Sequence, residues 1–159
     1  SKTWFGRWTD KLLTRTVKAQ GKMARVGTLS PKVRAFVEAK GKKPGTRGII
    51  AVDRRLVRMV RDTKKADQKL AREVIRRMPD DLKNPRAVLW DKKKGNLVYV
   101  FDVPGTRKGK YVINVGFVQE VQRGDKLVRR QGNFVSSGGA VPRRILSDTN
   151  AYELVDGRI

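Results

Sequence analysis

A basic triplet is the clearest candidate in this chain for chemistry on a phosphate group. Arg58, Arg61 and Lys64 follow one another at intervals of three, so a helix puts the first two on adjacent turns and brings Lys64 near if it continues. Together they could grip one phosphate and offset the charge that develops on it during cleavage. Asp62 or Lys64 is the candidate for proton transfer. The alternative is a solvated basic face without a specific role.

A second polar group lies near the end of the last predicted strand. Asn133, Ser136 and Ser137 precede two glycines, Gly138 and Gly139, and glycine lets a phosphate approach backbone N–H groups closely. We therefore predict that Ser136 and Ser137 take part in catalysis and that Asn133 binds nucleic acid. The alternative is an ordinary strand end and turn.

Aromatic and basic residues of the neighbouring strands extend this candidate interface. Tyr99 and Tyr111 could stack a base, although their alternation within strands favours core packing. The segment 106–110 is interpreted as a flexible basic loop that contacts phosphates without reading sequence. Its candidate phosphate ligands are Arg107, Lys108 and Lys110.

The composition points to a polyanionic partner. Thirty-eight Lys and Arg against 15 Asp and Glu give a net charge of +23, which favours nucleic acid as the partner. The chain has no His and no Cys, which excludes thiolate metal sites and Cys nucleophiles and removes the commonest general base. We expect no cofactor and no metal. Asp80, Asp81 and Asp91 are interpreted as caps and turns rather than a magnesium site.

A membrane surface is the competing partner. The N-terminus is the one segment whose sequence resembles a membrane-binding helix. Trp4, Phe5 and Trp8 alternate there with basic residues, as in an amphipathic interfacial helix. The favoured interpretation is a helix that packs its aromatic side on the domain. No apolar run approaches the roughly 18 residues of a membrane span, so we expect no membrane partner.

The period of the apolar residues changes once along the chain. Residues 1–47 predict a helical N-terminal part, and residues 48–159 predict a short strand and helices, followed by strands of period two. Helices are predicted over 3–19, from Ser30-Pro31 to Gly41, from Asp53 onward and over 70–78. The later strands are predicted over 87–91, 97–103, 111–121 and 127–141. The fold class is α+β, a single domain with helices on one face of a roughly four-stranded antiparallel sheet. Tyr111, Ile113, Val115 and Phe117 are expected to face the helices.

The order of four segments resembles a known family. The segments are GIIAVDRRLVRMVRDTKK from Gly48, RRMPDDLKNPRAVLWDKKKGNLVYVFD from Arg76, KYVINVGF from Lys110 and NFVSSG from Asn133. Over residues 24–157 the chain is similar to the C-terminal nuclease-like domain of Mu-type phage head-morphogenesis proteins. That domain belongs to the barnase, EndoU, colicin and RelE-like group of ribonuclease folds.

The resemblance implies a phage-encoded toxin or effector that cleaves RNA without a metal, by attack of the ribose 2′-OH on the adjacent phosphorus. It implies tRNA or ribosome-associated RNA as the substrate and a phage head protein within the full-length chain. A small acidic inhibitor or immunity protein is a further implied partner. The implied locations are the virion interior and the host bacterial cytoplasm.

One residue departs from the family pattern. Many relatives carry His three residues before the Arg-Asp pair, where this chain has Arg58. A permanent cation suits phosphate binding and is poor at proton transfer. A catalytically inactive nucleic-acid-binding domain of the same fold is therefore the alternative function. A virion accessory module, whose charge accommodates packaged DNA, is the third.

Overall fold

The structure, a computed structural model, describes residues 2–14, 18–61 and 66–159. The helices are α1 (Lys2–Leu13), α2 (Pro31–Ala39), α3 (Asp53–Arg61), α4 (Arg72–Arg76), α5 (Met78–Lys83) and α6 (Arg143–Leu146). The strands are β1 (Met23–Thr28), β2 (Gly48–Val52), β3 (Ala87–Asp91), β4 (Asn96–Asp102), β5 (Lys108–Arg123), β6 (Lys126–Val141) and β7 (Tyr152–Gly157). A short 3₁₀ helix, Ala66–Gln68, lies between α3 and α4. The fold class is therefore α+β, as predicted.

The seven described strands form one mixed sheet in the order β1-β2-β6-β5-β4-β3-β7. Strands β3 to β6 are the predicted antiparallel meander, whereas β2 runs parallel to β6. The estimate of roughly four strands was too low, because β2 joins the same sheet and because β1 and β7 were not anticipated. Both missed strands lie at the edges of the sheet and have six residues each.

The side chains at the two predicted helix starts, Ser30 and Asp53, make different kinds of hydrogen bond. Ser30 caps α2 as expected, since its Oγ accepts a hydrogen bond from Val33 N at 3.2 Å and Pro31 occupies the first helical turn. Asp53 begins α3, but its buried carboxylate accepts from the backbone N–H groups of Gln20, Gly21 and Lys22 at 2.9 to 3.1 Å. Asp53 therefore ties the segment before β1 to the start of α3.

The apolar residues of the predicted helix over 70–78 are buried, but they belong to two short helices. The chain turns at Arg77, between α4 and α5, and Pro79 lies in the first turn of α5, where its missing N–H is not needed. Val74, Ile75 and Met78 still face the core.

Helices α1 to α5 pack on one face of the sheet and build the main core. Phe5, Leu12 and Leu13 of α1 are buried in that core, and Trp8 packs against it. This confirms the predicted packing for Phe5 and Trp8, whereas Trp4 is 49 % exposed. On the opposite face, α6 and the chain end cover a smaller cluster built on β3, β4 and β6. No helix within the described ranges has the length and apolarity needed to cross a bilayer.

A bulge in β5 changes the side on which its last residues lie. Tyr111, Ile113 and Val115 face the main core as predicted, but the register shifts between Asn114 and Phe117. Phe117 consequently packs against Phe134, outside the main core, and the prediction for Phe117 was wrong. Gly116 adopts φ 63° at this bulge, and a Cβ there would overlap the carbonyl of Lys43.

Candidate nucleic-acid interface

A basic pocket of about 190 Å³ lies where α3 crosses β5 and β6. It is lined by Arg55, Arg58 and Met59 of α3, by Gln68 and Lys69, by Lys110 of β5, and by Ser136, Ser137 and Gly138 of β6. Four of these described lining residues are cations and none is a carboxylate. The pocket therefore gathers positive charge at one point of the surface and suits an anion the size of a phosphate group.

Four predicted site residues meet in the basic pocket although they come from three different parts of the chain. Arg58 is on α3, Lys110 is on β5, and Ser136 and Ser137 are on β6. Arg58 is exposed and makes no ion pair with a described residue. The sequence alone did not indicate that the basic helix and the two serines would be adjacent.

A second bulge, in β6, shapes the wall of the basic pocket. Val112 of β5 pairs with Ser137 and Ile113 pairs with Val135, so that Ser136 is the extra residue of the bulge. The Ser136 hydroxyl donates to Val112 O at 3.3 Å, and Ser136 O accepts from Arg55 Nη1 at 3.2 Å. Ser136 thus holds the bulge and orients Arg55. The exposed Ser137 hydroxyl remains the better donor to a bound anion.

The two glycines after the serines serve packing. A Cβ on Gly138 would lie 2.7 Å from Tyr111 Cδ1 and 3.0 Å from Met59 Sδ. A Cβ on Gly139 would lie 3.1 Å from Gln68 O. The close approach that we predicted for a phosphate is therefore used by the protein's own side chains and backbone.

Arg58 and Arg61 of the basic triplet, both on α3, have different surroundings. Arg61 Nη2 donates to Leu13 O at 2.9 Å and so attaches the end of α3 to α1. Arg61 is absent from the lining of the basic pocket, and its interpretation as a phosphate ligand needs correction, because its guanidinium is used between the helices. Asp62 and Lys64 lie outside the described residues.

Asn133 and Tyr99 are buried and cannot contact nucleic acid in this structure. Asn133 is 0 % exposed; its Nδ2 donates to Thr46 O and Gly48 O, and its Oδ1 accepts from Gly116 N. It therefore holds the segment before β2 against the β5 bulge. Tyr99 is 2 % exposed, and burial raises its pKa well above the ordinary tyrosine range. The prediction of base stacking on Tyr99 is corrected in favour of core packing.

Tyr111 is likewise a core residue. Its ring stacks on Phe101 with centroids 4.5 Å apart, and burial raises the pKa of its hydroxyl. Both tyrosines follow the alternation that favoured core packing.

The predicted basic loop is partly strand, and its cations differ in their surroundings. Lys108 belongs to β5, where its Nζ lies 2.7 Å from Asp102 Oδ1. Arg107 donates to Ala140 O at 3.1 Å and lies 3.9 Å from the Asp67 carboxylate. Lys110 lines the basic pocket. We therefore keep Lys110 as the candidate phosphate ligand of this group, because it is the member of the group that lines the basic pocket.

Three polar lining residues escaped the sequence analysis. Arg55 precedes Arg58 by three positions on α3, so the spacing that suggested the triplet also contained this pair. Gln68 and Lys69 belong to the segment formed by the 3₁₀ helix and the residue after it. No sequence signal places that segment beside β6.

Asp80, Asp81 and Asp91 are not among the described residues that line the basic pocket. Asp91 Oδ1 accepts from the N–H groups of Lys93 and Lys94, which confirms its role in a turn. Asp80 and Asp81 are in the first turn of α5, a favourable place for negative charge. Burial raises the pKa of Asp81 to about 6, against the opposing effect of Arg77. Among the described residues, no three potential metal ligands converge.

Beyond the Gly116 bulge, β5 and β6 continue as a two-stranded ribbon, residues 117–131, which we call the β arm. Register pairs run along its length from Phe117 with Gly132 to Arg123 with Lys126. Its exposed cations are Lys126, Arg129 and Arg130. Large apolar residues are exposed beside them: Phe117, Val118, Leu127 and Val128. The β arm therefore adds exposed cations to the basic surface of the protein.

Comparison with known proteins found no family model, no curated protein and no solved structure that matches the chain.

Proposed function

We propose that this protein binds nucleic acid and that the basic pocket holds one phosphate group of the bound strand. The observation that carries the proposal is the convergence of Arg55, Arg58, Lys69 and Lys110 in one pocket, with no carboxylate among the described residues that line it. Arginine forks and lysine point charges bind phosphate oxygens through charge-assisted hydrogen bonds. The Ser137 hydroxyl supplies a neutral donor at the same wall.

The rest of the charge favours a polymer over a small anion as the ligand. The net charge is +23, and exposed cations occur on the β arm, far along β6 from the pocket. A small anion would use the pocket alone and leave those cations without a role. A nucleic acid strand contacts many of them at once and gains affinity by releasing counterions.

Cleavage of RNA is the second candidate, favoured by the presence of Arg58, Ser136 and Ser137 in one pocket. Cations beside a phosphate stabilise the extra negative charge of a phosphorane. In the proposed reaction the 2′-OH attacks phosphorus, its proton leaves to a base, and the 5′-oxygen departs with a proton from an acid. The described lining offers no carboxylate for these transfers, and Asp62 and Lys64 lie outside the described residues. Binding is therefore the primary proposal.

The family proposal rests on topology and sequence together. In this protein α3 follows β2 directly and packs against β2 and β6, beside the antiparallel meander of β3 to β6. A helix packed on one face of an antiparallel meander is what the barnase, EndoU, colicin and RelE-like resemblance implies, and this feature supports the family proposal. The seven-stranded mixed sheet goes beyond that expectation. We keep tRNA or ribosome-associated RNA, an acidic inhibitor and a phage head protein as proposed partners, and the virion interior and host cytoplasm as proposed locations.

The test measures binding and cleavage on one RNA. Affinity for a strand of about 20 nucleotides is measured between roughly 50 and 200 mM salt, where a slope near −0.7 per phosphate contact is expected. Cleavage is then assayed with chelator present, on the RNA and on a copy with 2′-deoxy ribose at the scissile position. A salt-independent affinity refutes the binding proposal. Cleavage that needs a metal, or that survives the deoxy substitution, refutes the 2′-OH mechanism.

A further inference from the structure

A second cavity, of about 440 Å³, lies between α1, the edge strand β1 and α5. We call it the Trp4 cavity; among its lining residues are Trp4, Phe5, Arg25, Pro79, Asp80 and Lys83. It differs from the basic pocket in two respects. Aromatic and apolar side chains form part of its wall, and a carboxylate lies among its cations.

Trp4 is the aromatic wall of this cavity. Its side chain is 49 % exposed, whereas Phe5 beside it is 2 % exposed. The Trp4 ring stacks on Trp8 with centroids 5.7 Å apart and an interplanar angle of 16°. Stacking on Trp8 orients the Trp4 ring, so that a flat ligand meets a preformed surface and loses little side-chain entropy on binding.

The opposite wall is the edge of the sheet. Strand β1 ends the sheet order, so none of the described strands pairs with its outer edge. Its register shifts between Arg25 and Gly27, which disturbs the edge where it meets the cavity. Backbone N–H and C=O groups at such an edge can form hydrogen bonds with a planar polar ligand.

Two cations flank the cavity. Arg25 Nη2 lies 3.3 Å from Thr28 Oγ1, a contact that orients its guanidinium. Lys83 is exposed at the end of α5. Asp80, one turn before Lys83, lines the same space, and its negative charge disfavours a phosphate inside the cavity. The lining therefore suits an uncharged ring whose attached phosphates lie outside, toward Arg25 and Lys83.

We propose that the Trp4 cavity binds one base of a single nucleic acid strand, with the base stacked on Trp4 and its polar edge against β1. This inference rests on the proposed function and adds to it a recognition of bases, distinct from the phosphate contacts of the basic pocket. Proteins that bind single strands commonly combine aromatic stacking with a basic groove, and stacking tolerates every base.

The test compares two strands that carry the same phosphates. One is an oligocytidine of about 12 nucleotides, within the usual site sizes of such domains, and the other is an abasic strand of equal length. Affinity for each is measured with the natural protein, with Trp4→Ala and with Trp4→Phe, and tryptophan fluorescence is followed during each titration. Trp90, being 5 % exposed, contributes a constant background.

The natural protein is expected to bind the oligocytidine more tightly than the abasic strand, with quenching by the oligocytidine alone. Trp4→Ala should lose about 5- to 150-fold in affinity for the oligocytidine, the range for loss of one stacking aromatic, and should not change affinity for the abasic strand. Trp4→Phe should keep most of the affinity because it keeps an aromatic face.

Equal affinity of the natural protein for the two strands would overturn the inference and leave the proposed function intact. Quenching by an anionic vesicle or an unstructured peptide, with none by the oligocytidine, would also overturn it and identify a different occupant. Failure of the proposed function is distinguishable, because the natural protein would then bind neither strand. Circular dichroism of Trp4→Ala checks its fold, which should persist since Trp4 is half exposed.

Discussion

Replacing Arg58 by alanine tests whether the basic pocket is a specific phosphate site. The guanidinium of Arg58 is exposed at the pocket, so its loss removes a charge-assisted contact with the bound phosphate. Such contacts contribute about 1.5 to 3 kcal/mol, equivalent to roughly 10- to 150-fold in affinity for RNA. The slope of log affinity against log salt should also become shallower by about 0.7.

Arg54→Ala is the matched control. Arg54 lies on the same helix, is exposed and does not line the basic pocket. Its removal lowers the net charge by the same single unit, and screening over about 10 Å at 0.1 M salt limits its long-range effect. We expect at most about a twofold change in affinity for Arg54→Ala, and changes in stability within about 0.5 kcal/mol for both variants.

The assay is fluorescence anisotropy of a labelled RNA at several salt concentrations, with thermal unfolding of each variant as a check. Equal losses for Arg54→Ala and Arg58→Ala would refute the reasoning. That result would mean that the affinity depends on the total charge of the protein and that the pocket has no special role.

Three further predictions follow from the structure. Arg61→Ala should lower the free energy of unfolding by about 1 kcal/mol, because it breaks the hydrogen bond to Leu13 O. The affinity of Arg61→Ala for RNA should be at least as high as that of the control Arg54→Ala. Chemical denaturation measures the first quantity and anisotropy the second. Burial raises the pKa of Asp81 from 3.8 to about 6, so the charged carboxylate destabilises the fold as pH rises from about 4 through about 6. The raised pKa corresponds to a loss of at most about 3 kcal/mol in the free energy of unfolding. Solvent screening of this part-exposed group reduces that loss to about 1 to 2 kcal/mol. Asp81→Asn should therefore gain stability over the natural protein between about pH 4 and pH 7, and a constant difference in unfolding free energy would contradict this. Replacing Lys126, Arg129 and Arg130 of the β arm by glutamine should make the salt slope shallower by up to about 2 if all three contact phosphates, and an unchanged slope would exclude the β arm from the interface.

The sequence predicted those elements whose pattern is local. Strands β3 and β4 are continuous runs of apolar residues, buried on both faces, and turn residues separate the strands from β3 to β6. The capping chemistry of Ser30-Pro31 predicts the start of α2. The side on which a residue lies after a bulge depends on a distant contact. Phe117 was misplaced because Gly116 accommodates the carbonyl of Lys43, which lies more than 70 residues earlier in the chain.

The candidate site was predicted in part, and the helix period explains the remainder. Residues three apart on a helix differ in direction by about 60°, so Arg55 and Arg58 point to neighbouring directions while Arg61 is turned by about 120° from Arg55. The sequence showed a row of cations at equal intervals but not which end of the row faces β6. The packing of α3 against α1, through Arg61 and Leu13 O, decides that choice.

The positions of the two cavities have a consequence for the form of the bound nucleic acid. The Trp4 cavity lies beside Gly27 of β1, which pairs with Ile49 of β2. Ile49 pairs in turn with Asn133 of β6. The basic pocket lies four residues farther along β6, at Ser137. Two strand spacings and four residues of rise separate them by roughly 16 Å in the plane of the sheet. A single strand can span this distance with a phosphate in one cavity and an unstacked base in the other. A duplex cannot present such a base without breaking a pair, at a cost of a few kcal/mol. The two proposals together therefore favour single-stranded regions, such as loops of folded RNA, over continuous duplex.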